Sequence, residues 1–122
     1  MLTQIGKPST KYDMVLFGWF ADFPDPWDFI NILFGKVTSE NNQNVSQFSV
    51  PAITRKMRAA ARLRGQARLA AYAKLDDEIM RNYAPWIPIS VPNAREFISA
   101  RVGCYEAPAF LAALDLAAVC LK

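Results

Sequence analysis

The chain contains no histidine and only two cysteines, Cys104 and Cys120. The first absence removes Ser-His and Cys-His nucleophilic pairs, histidine metal ligands and the histidine proton shuttle. Two cysteines with neither a CxxC spacing nor a third soft ligand nearby give no zinc site. The plainer reading makes them buried free thiols acting as small apolar residues, and a disulfide is the alternative if the chain is exported. Long hydrophobic runs are also missing. The longest apolar stretches, 14–21 and 107–121, are too short or are interrupted by Gly18 and Asp115 before they reach a bilayer's width. Residues 1–7 lack the cationic start and apolar stretch of a signal peptide.

What is present is a globular composition. Of 122 residues, 52% are hydrophobic and 20% charged, which is enough for one core and too little for two independent lobes. The net charge of +3 favours anionic surfaces only slightly. Residues 1–11, polar with Gly6 and Pro8, read as a linker or frayed lead-in, and 12–122 as a single domain.

Local patterns predict an α+β fold, a small mixed sheet with two or three packed helices. Residues 12–19 (YDMVLFGW) alternate with apolar side chains on both faces, as a covered central strand does. Asp25 is a good N-cap and Pro26 suits a first helical position, so a short helix starts here, with Phe29, Ile32 and Leu33 as its apolar stripe and Gly35 as its stop. The polar stretch 37–48 reads as a loop. Pro51 opens a second helix that runs to about Arg64 and ends at Gly65, with Ile53, Met57 and Ala60 facing inward. A third helix over 66–83 carries Leu69, Tyr72, Ala73, Ile79, Met80 and Tyr83, and the short connection at Gly65 makes the pair an antiparallel hairpin. Ile87, Ile89 and Val91 alternate in an edge segment bounded by prolines, 96–102 is another strand, and 110–122 a final extended segment.

Chemistry is concentrated in Gly18-Trp19-Phe20-Ala21-Asp22, followed by Phe23-Pro24-Asp25-Pro26. A strand ending in an aromatic, with an acid three residues later, places both at a strand mouth, where scaffolds meet ligands. A carboxylate in a partly dry cleft binds an ammonium by a charge-assisted hydrogen bond, and an indole beside it adds apolar area or a cation–π contact. The bland alternative makes Asp22 a turn residue and Trp19 core. Asp22, Asp25 and Asp28 lie close in sequence, but Asp25 is occupied as a cap and no further acids complete an oxygen cage, so no metal is expected. Asn44-Val45-Ser46 is a formal glycosylation sequon, a weak pattern.

These motifs, in this order, resemble family 5 extracellular solute-binding proteins of ABC importers, the oligopeptide, dipeptide and nickel class. The resemblance runs from the GWxxD strand end and the DP-started helix through an Asn-rich loop ending in an aromatic (Asn44 to Phe48) to the helix at Pro51. It continues with Arg68-Leu69-Ala70-Ala71-Tyr72, Pro85-Trp86-Ile87-Pro88, Val102-Gly103 and Asp115-Leu116-Ala117. It implies the C-terminal part of a two-lobed clamp, a type II periplasmic-binding-protein-like fold, working on the periplasmic or extracellular face of the membrane. Peptides or related small solutes are its implied cargo and a membrane permease its partner. No catalysis and no cofactor are implied. Asp22 matches the acid that pairs with a peptide's α-ammonium, Trp19 matches the pocket aromatic, and Asn44 matches the family's loop asparagine. The opposing lobe and the export signal have no counterpart in the sequence, so a half-clamp is expected to hold ligand weakly, and its open strand edges invite homo-oligomers. The cysteines depart from the family's pattern.

A rival reading comes from Arg55, Lys56, Arg58, Arg62, Arg64 and Arg68, six basic residues with no acid among them. Arg55, Arg58 and Arg62 share a helical face, which would suit a stand-alone interaction or nucleic-acid module tracking phosphates. The run has no aromatic to stack bases, and Asp76, Asp77 and Glu78 stand ready to neutralise it, so nucleic acid is not the expected partner.

Overall fold

In a computed structural model, described here for residues 11–36, 43–91, 93, 95–106 and 117–122, three helices carry the architecture. They are α1 (Trp27–Phe34), α2 (Pro51–Ala61) and α3 (Gly65–Asn82). The cap position of α1 is Pro26 and not Asp25, but the Asp25 side chain still holds the turn, Oδ1 accepting from the Trp27 amide at 2.8 Å, while the Asp25 and Pro26 carbonyls take the amides of Asp28, Phe29 and Ile30. The helix thus begins one residue later than Pro26, within the usual ambiguity of helix ends. Pro51 stands at the start of α2, where its missing N–H costs nothing. Gly65 is the first residue of α3 and has φ +54°, a left-handed conformation that favours glycine, so it turns the chain between α2 and α3.

The helical hairpin is antiparallel. Lys56 on α2 meets Glu78 on α3 at 2.6 Å, and Arg68 near the start of α3 reaches the Ala61 carbonyl at the end of α2 at 2.7 Å. Ile53, Met57 and Ala60 form the buried line of α2, as their spacing predicts. On α3 the buried line is Tyr72, Leu75 and Ile79, at i, i+3 and i+7, whereas Leu69 and Tyr83 lie outside it and are exposed. Ile30, Leu33 and Phe34 of α1 close the core from the third side, and Phe17, Trp19, Phe48 and Trp86 pack around its rim.

The expected α+β sheet is not there. Among the described residues the structure is all-α, and its sole β pairing is an isolated antiparallel bridge between Val102 and Leu121. The segments at 12–19 and 87–91 form no ladder among the described residues, and in 96–102 a turn at 100–101 leads only to the single bridge at Val102. A strand is completed only by hydrogen bonds to another strand, and apart from that bridge these segments meet none among the described residues. Their alternation survives as an uncovered face: Met14, Leu16, Ile87, Ile89 and Val91 are 77–93% exposed. Most of the final segment predicted over 110–122 falls outside the described residues. Its end, at Leu121, is held to 101–103 by the bridge, by the Gly103 amide on the Cys120 carbonyl and by the Lys122 amide on the Arg101 carbonyl. The free-thiol reading of the cysteines also fails, because Cys104 and Cys120 form a disulfide with Cα atoms 4.9 Å apart. The pairing of 101–103 with 120–122 brings their side chains into bonding range.

Candidate ligand-binding site

The GWxxD segment crosses the N-terminal end of α1, and one buried carboxylate organises it. Asp28, in the first turn of α1, is 0% exposed. Its Oδ2 accepts the indole Nε1–H of Trp19 at 3.0 Å and the backbone amide of Asp22 at 2.9 Å, while Oδ1 is buried with no hydrogen-bond partner. Trp19 and Asp22 therefore hang from a single oxygen atom. The Trp19 ring is half-buried and stacks on Phe17 at 6.4 Å, and Phe17 meets Trp86 edge-on at 5.5 Å. Asp22 itself is exposed, and its carboxylate accepts no hydrogen bond among the described residues. An exposed carboxylate on a backbone fixed at its amide can take up an ammonium group without competing internal bonds.

Asn44 has a different environment. It is 1% exposed, and its side chain makes four hydrogen bonds: Nδ2 donates to the carbonyls of Gly35 and Phe48, each at 2.8 Å, and Oδ1 accepts from Ser46 Oγ and the Phe48 amide, each at 3.0 Å. Its donors and its acceptor are thus spent on the loop that joins the end of α1 to the start of α2. The Tyr12 hydroxyl donates to the Val45 carbonyl and ties the GWxxD segment to the same loop. An asparagine so enclosed offers no amide to a glycan, which disposes of the sequon.

Two residues that sequence reasoning did not single out prove central. One is Asp28, considered there only as a metal ligand; among the described residues no group of three or more acids or cysteines is placed to hold a metal. The other is Arg68, which locks the DP turn to the helical hairpin. Its Nε and Nη2 grip Asp25 at 2.9 and 2.8 Å, Nη1 reaches the Ala61 and Ala60 carbonyls at 2.7 and 3.3 Å, and its guanidinium carbon lies 5.1 Å from the centre of the Tyr72 ring. Arg68 holds the Asp25 carboxyl below the ordinary aspartate range, chiefly by this side-chain hydrogen bond. Only the spacing Asp25-to-Trp27 and the Arg68-to-Tyr72 phrase hinted at this, and neither spacing reveals a contact across 43 residues.

The basic run is divided by the fold. Lys56 is paired with Glu78 and Arg68 with Asp25, so two of the six cations are withdrawn from any continuous stripe.

Comparison with known proteins gives partial similarities. The chain is 31% identical over 80 residues to the Di/tripeptide-binding protein 3 of Pseudomonas aeruginosa, covering 66% of this chain and 15% of that protein. A Dipeptide-binding protein from another strain of the same species matches equally. The Heme-binding protein A of Haemophilus influenzae is 30% identical over 90 residues, 74% of this chain and 16% of its own length. The chain is similar to family 5 solute-binding proteins. It spans about a sixth of the length of these curated family 5 relatives, all of which are named for what they bind and none for a reaction. No family model matches the chain, and no solved structure does. Among the described residues no helix is long and apolar enough to cross a membrane.

Proposed function

We propose that this chain is the C-terminal portion of a solute-binding protein that captures short peptides, or a related small solute, for an ABC importer. In this reading Asp22 pairs with the α-ammonium of the peptide, Trp19 walls the pocket, and Asn44 holds the neighbouring loop in place. Capture proceeds by closure of two lobes, a population shift driven by ligand contacts to both. The observation that carries the reading is the Asp28 oxygen that accepts both the Trp19 indole N–H and the Asp22 backbone amide, with Asp22 itself exposed. The dipeptide- and di/tripeptide-binding names of two relatives support peptides as cargo. The Cys104–Cys120 disulfide suits an oxidising compartment such as the periplasm, where the solute would be handed to a membrane permease. The exposed alternating faces at 14–16 and 87–91 belong, on this reading, against other strands of the intact receptor; without those strands they pair with a second copy.

The test is Asp22→Asn in a full-length receptor carrying this segment. Peptides with free amino termini should lose binding about 10- to 100-fold, the worth of one charge-assisted hydrogen bond, while amino-blocked peptides change little. Equal loss for both kinds would end the assignment of Asp22. The nucleic-acid reading has no comparable support, since the fold takes Lys56 and Arg68 out of its cationic run.

A further inference from the structure

Lined by none of Trp19, Asp22 or Asp28, a hollow of about 370 Å³ lies at the junction of the Asn44 loop and α2. Three cations line it: Lys36, which follows the end of α1, and Arg55 and Arg58, which lie three residues apart on one face of α2. Ser49, Thr54, Phe48 and Pro51 complete the lining. All three cationic side chains are exposed, and none forms an ion pair among the described residues, whereas Lys56 and Arg68 of the same run are both paired. Among the described residues no acid lines the hollow. Thr54 spends its hydroxyl proton on the Val50 carbonyl at 3.2 Å, while the Ser49 hydroxyl remains a donor without a partner among the described residues. The volume falls at the small end of ligand pockets.

We infer that this hollow binds a phosphate group. Three cations around one hollow repel one another unless an anion stands between them, and an arginine fork grips oxygens two at a time. A carboxylate presents two oxygens and one charge, too few for two guanidiniums, an ammonium and a hydroxyl. A terminal phosphate presents three acceptor oxygens and close to two charges on one compact centre, which matches the donors on the wall. The phosphate group can be a free one or the headgroup of a lipid.

Inorganic phosphate and acetate are titrated into the 122-residue chain by calorimetry at matched, low ionic strength. Phosphate should bind at least tenfold tighter than acetate. Arg55→Ala and Arg58→Ala should each weaken phosphate about tenfold, the equivalent of one charged hydrogen bond, while Arg62→Ala, at the C-cap of α2 and outside the hollow, leaves it unchanged. All three positions are exposed or half-buried, so circular dichroism should report an intact fold in each variant. Phosphate binding no tighter than acetate, or an Arg62→Ala loss equal to that of Arg55→Ala, overturns the assignment. Pelleting with phosphatidic acid vesicles in a phosphatidylcholine background then separates the sources. Co-sedimentation that inorganic phosphate reverses identifies a lipid headgroup, and no co-sedimentation identifies a soluble phosphate.

Discussion

Replacing Arg68 with alanine is the sharpest probe of how the site is held. The guanidinium is 17% exposed and its partner Asp25 31%, so the pair sits between a screened surface bridge and a buried one. Surface pairs are worth up to about 1 kcal/mol, and hydrogen bonds to charged groups about 1.5–3. We take about 1–1.5 kcal/mol for the two bonds to Asp25. The contacts to the carbonyls of Ala61 and Ala60 contribute about 1 more, and the guanidinium over Tyr72 about 0.5. Arg68→Ala should therefore cost about 2.5–3 kcal/mol, and Arg68→Lys, which keeps a charge but not the planar fork, about 1–2. Urea unfolding followed by tryptophan fluorescence reads these differences, and a cycle with Asp25→Asn should return a coupling of about 1–1.5 kcal/mol. The pH dependence follows the same pair. Because the folded Asp25 carboxyl titrates below its unfolded value of about 3.9, its contribution is complete above that value and is lost as pH falls through the lower folded one. Asp25→Asn should remove that acid arm. A coupling indistinguishable from zero, or Arg68→Ala within about 0.5 kcal/mol of the parent, which is the range of neutral surface changes, would refute the reasoning.

Other outcomes follow from the same contacts. Burial pushes the Tyr72 phenol above its ordinary range, so the folded state holds this proton longer than the unfolded one, and stability should fall as pH rises past about 10. Tyr72→Phe should flatten that alkaline decline and cost about 1 kcal/mol at neutral pH through the lost 2.8 Å bond to Asn31, both read from urea midpoints across pH. Asp28→Ala strands the Trp19 indole N–H and the Asp22 amide and should cost about 2–4 kcal/mol, and Asp28→Asn, which keeps an acceptor, clearly less; equal costs in denaturation would contradict the shared-oxygen geometry. Light scattering should find the chain self-associated, and Ile89→Lys together with Leu16→Lys should shift it toward monomer by charging the open faces. A monodisperse monomer before substitution would count against pairing through those faces.

The helices were legible because their signals are local. Pro51 and Gly65 bracket α2, the Asp25 side chain holds the turn into α1, and the Ile53, Met57 and Ala60 spacing names the inward line. On α3 the periodic pattern marks Tyr72 and Ile79 correctly but also Leu69 and Tyr83, which are exposed, and not Leu75, which is buried, since an apolar residue at helical spacing on a long helix faces inward only where a neighbour covers it. In the site, Trp19 and Asp22 stood out as an aromatic and an acid at a strand end. Asp28 did not, because an acid in the first turn of a helix is ordinary in sequence and becomes an organiser only when the preceding chain folds back across it.

By itself, the amino-acid sequence determined the three helices, the caps and turns that bound them, the acid and indole of the GWxxD segment, and the likeness to family 5 receptors. Helical hydrogen bonds close within four residues, so their instructions are written next to the residues that obey them. Tertiary structure alone decided that the alternating segments stay unladdered, that Asp28 links Trp19 to Asp22, that Arg68 reaches Asp25, and that Cys104 meets Cys120. Each of these depends on a partner distant along the chain or, for the would-be strands, on a partner never met, and an alternating pattern records only that a strand would suit a partner, not that one arrives.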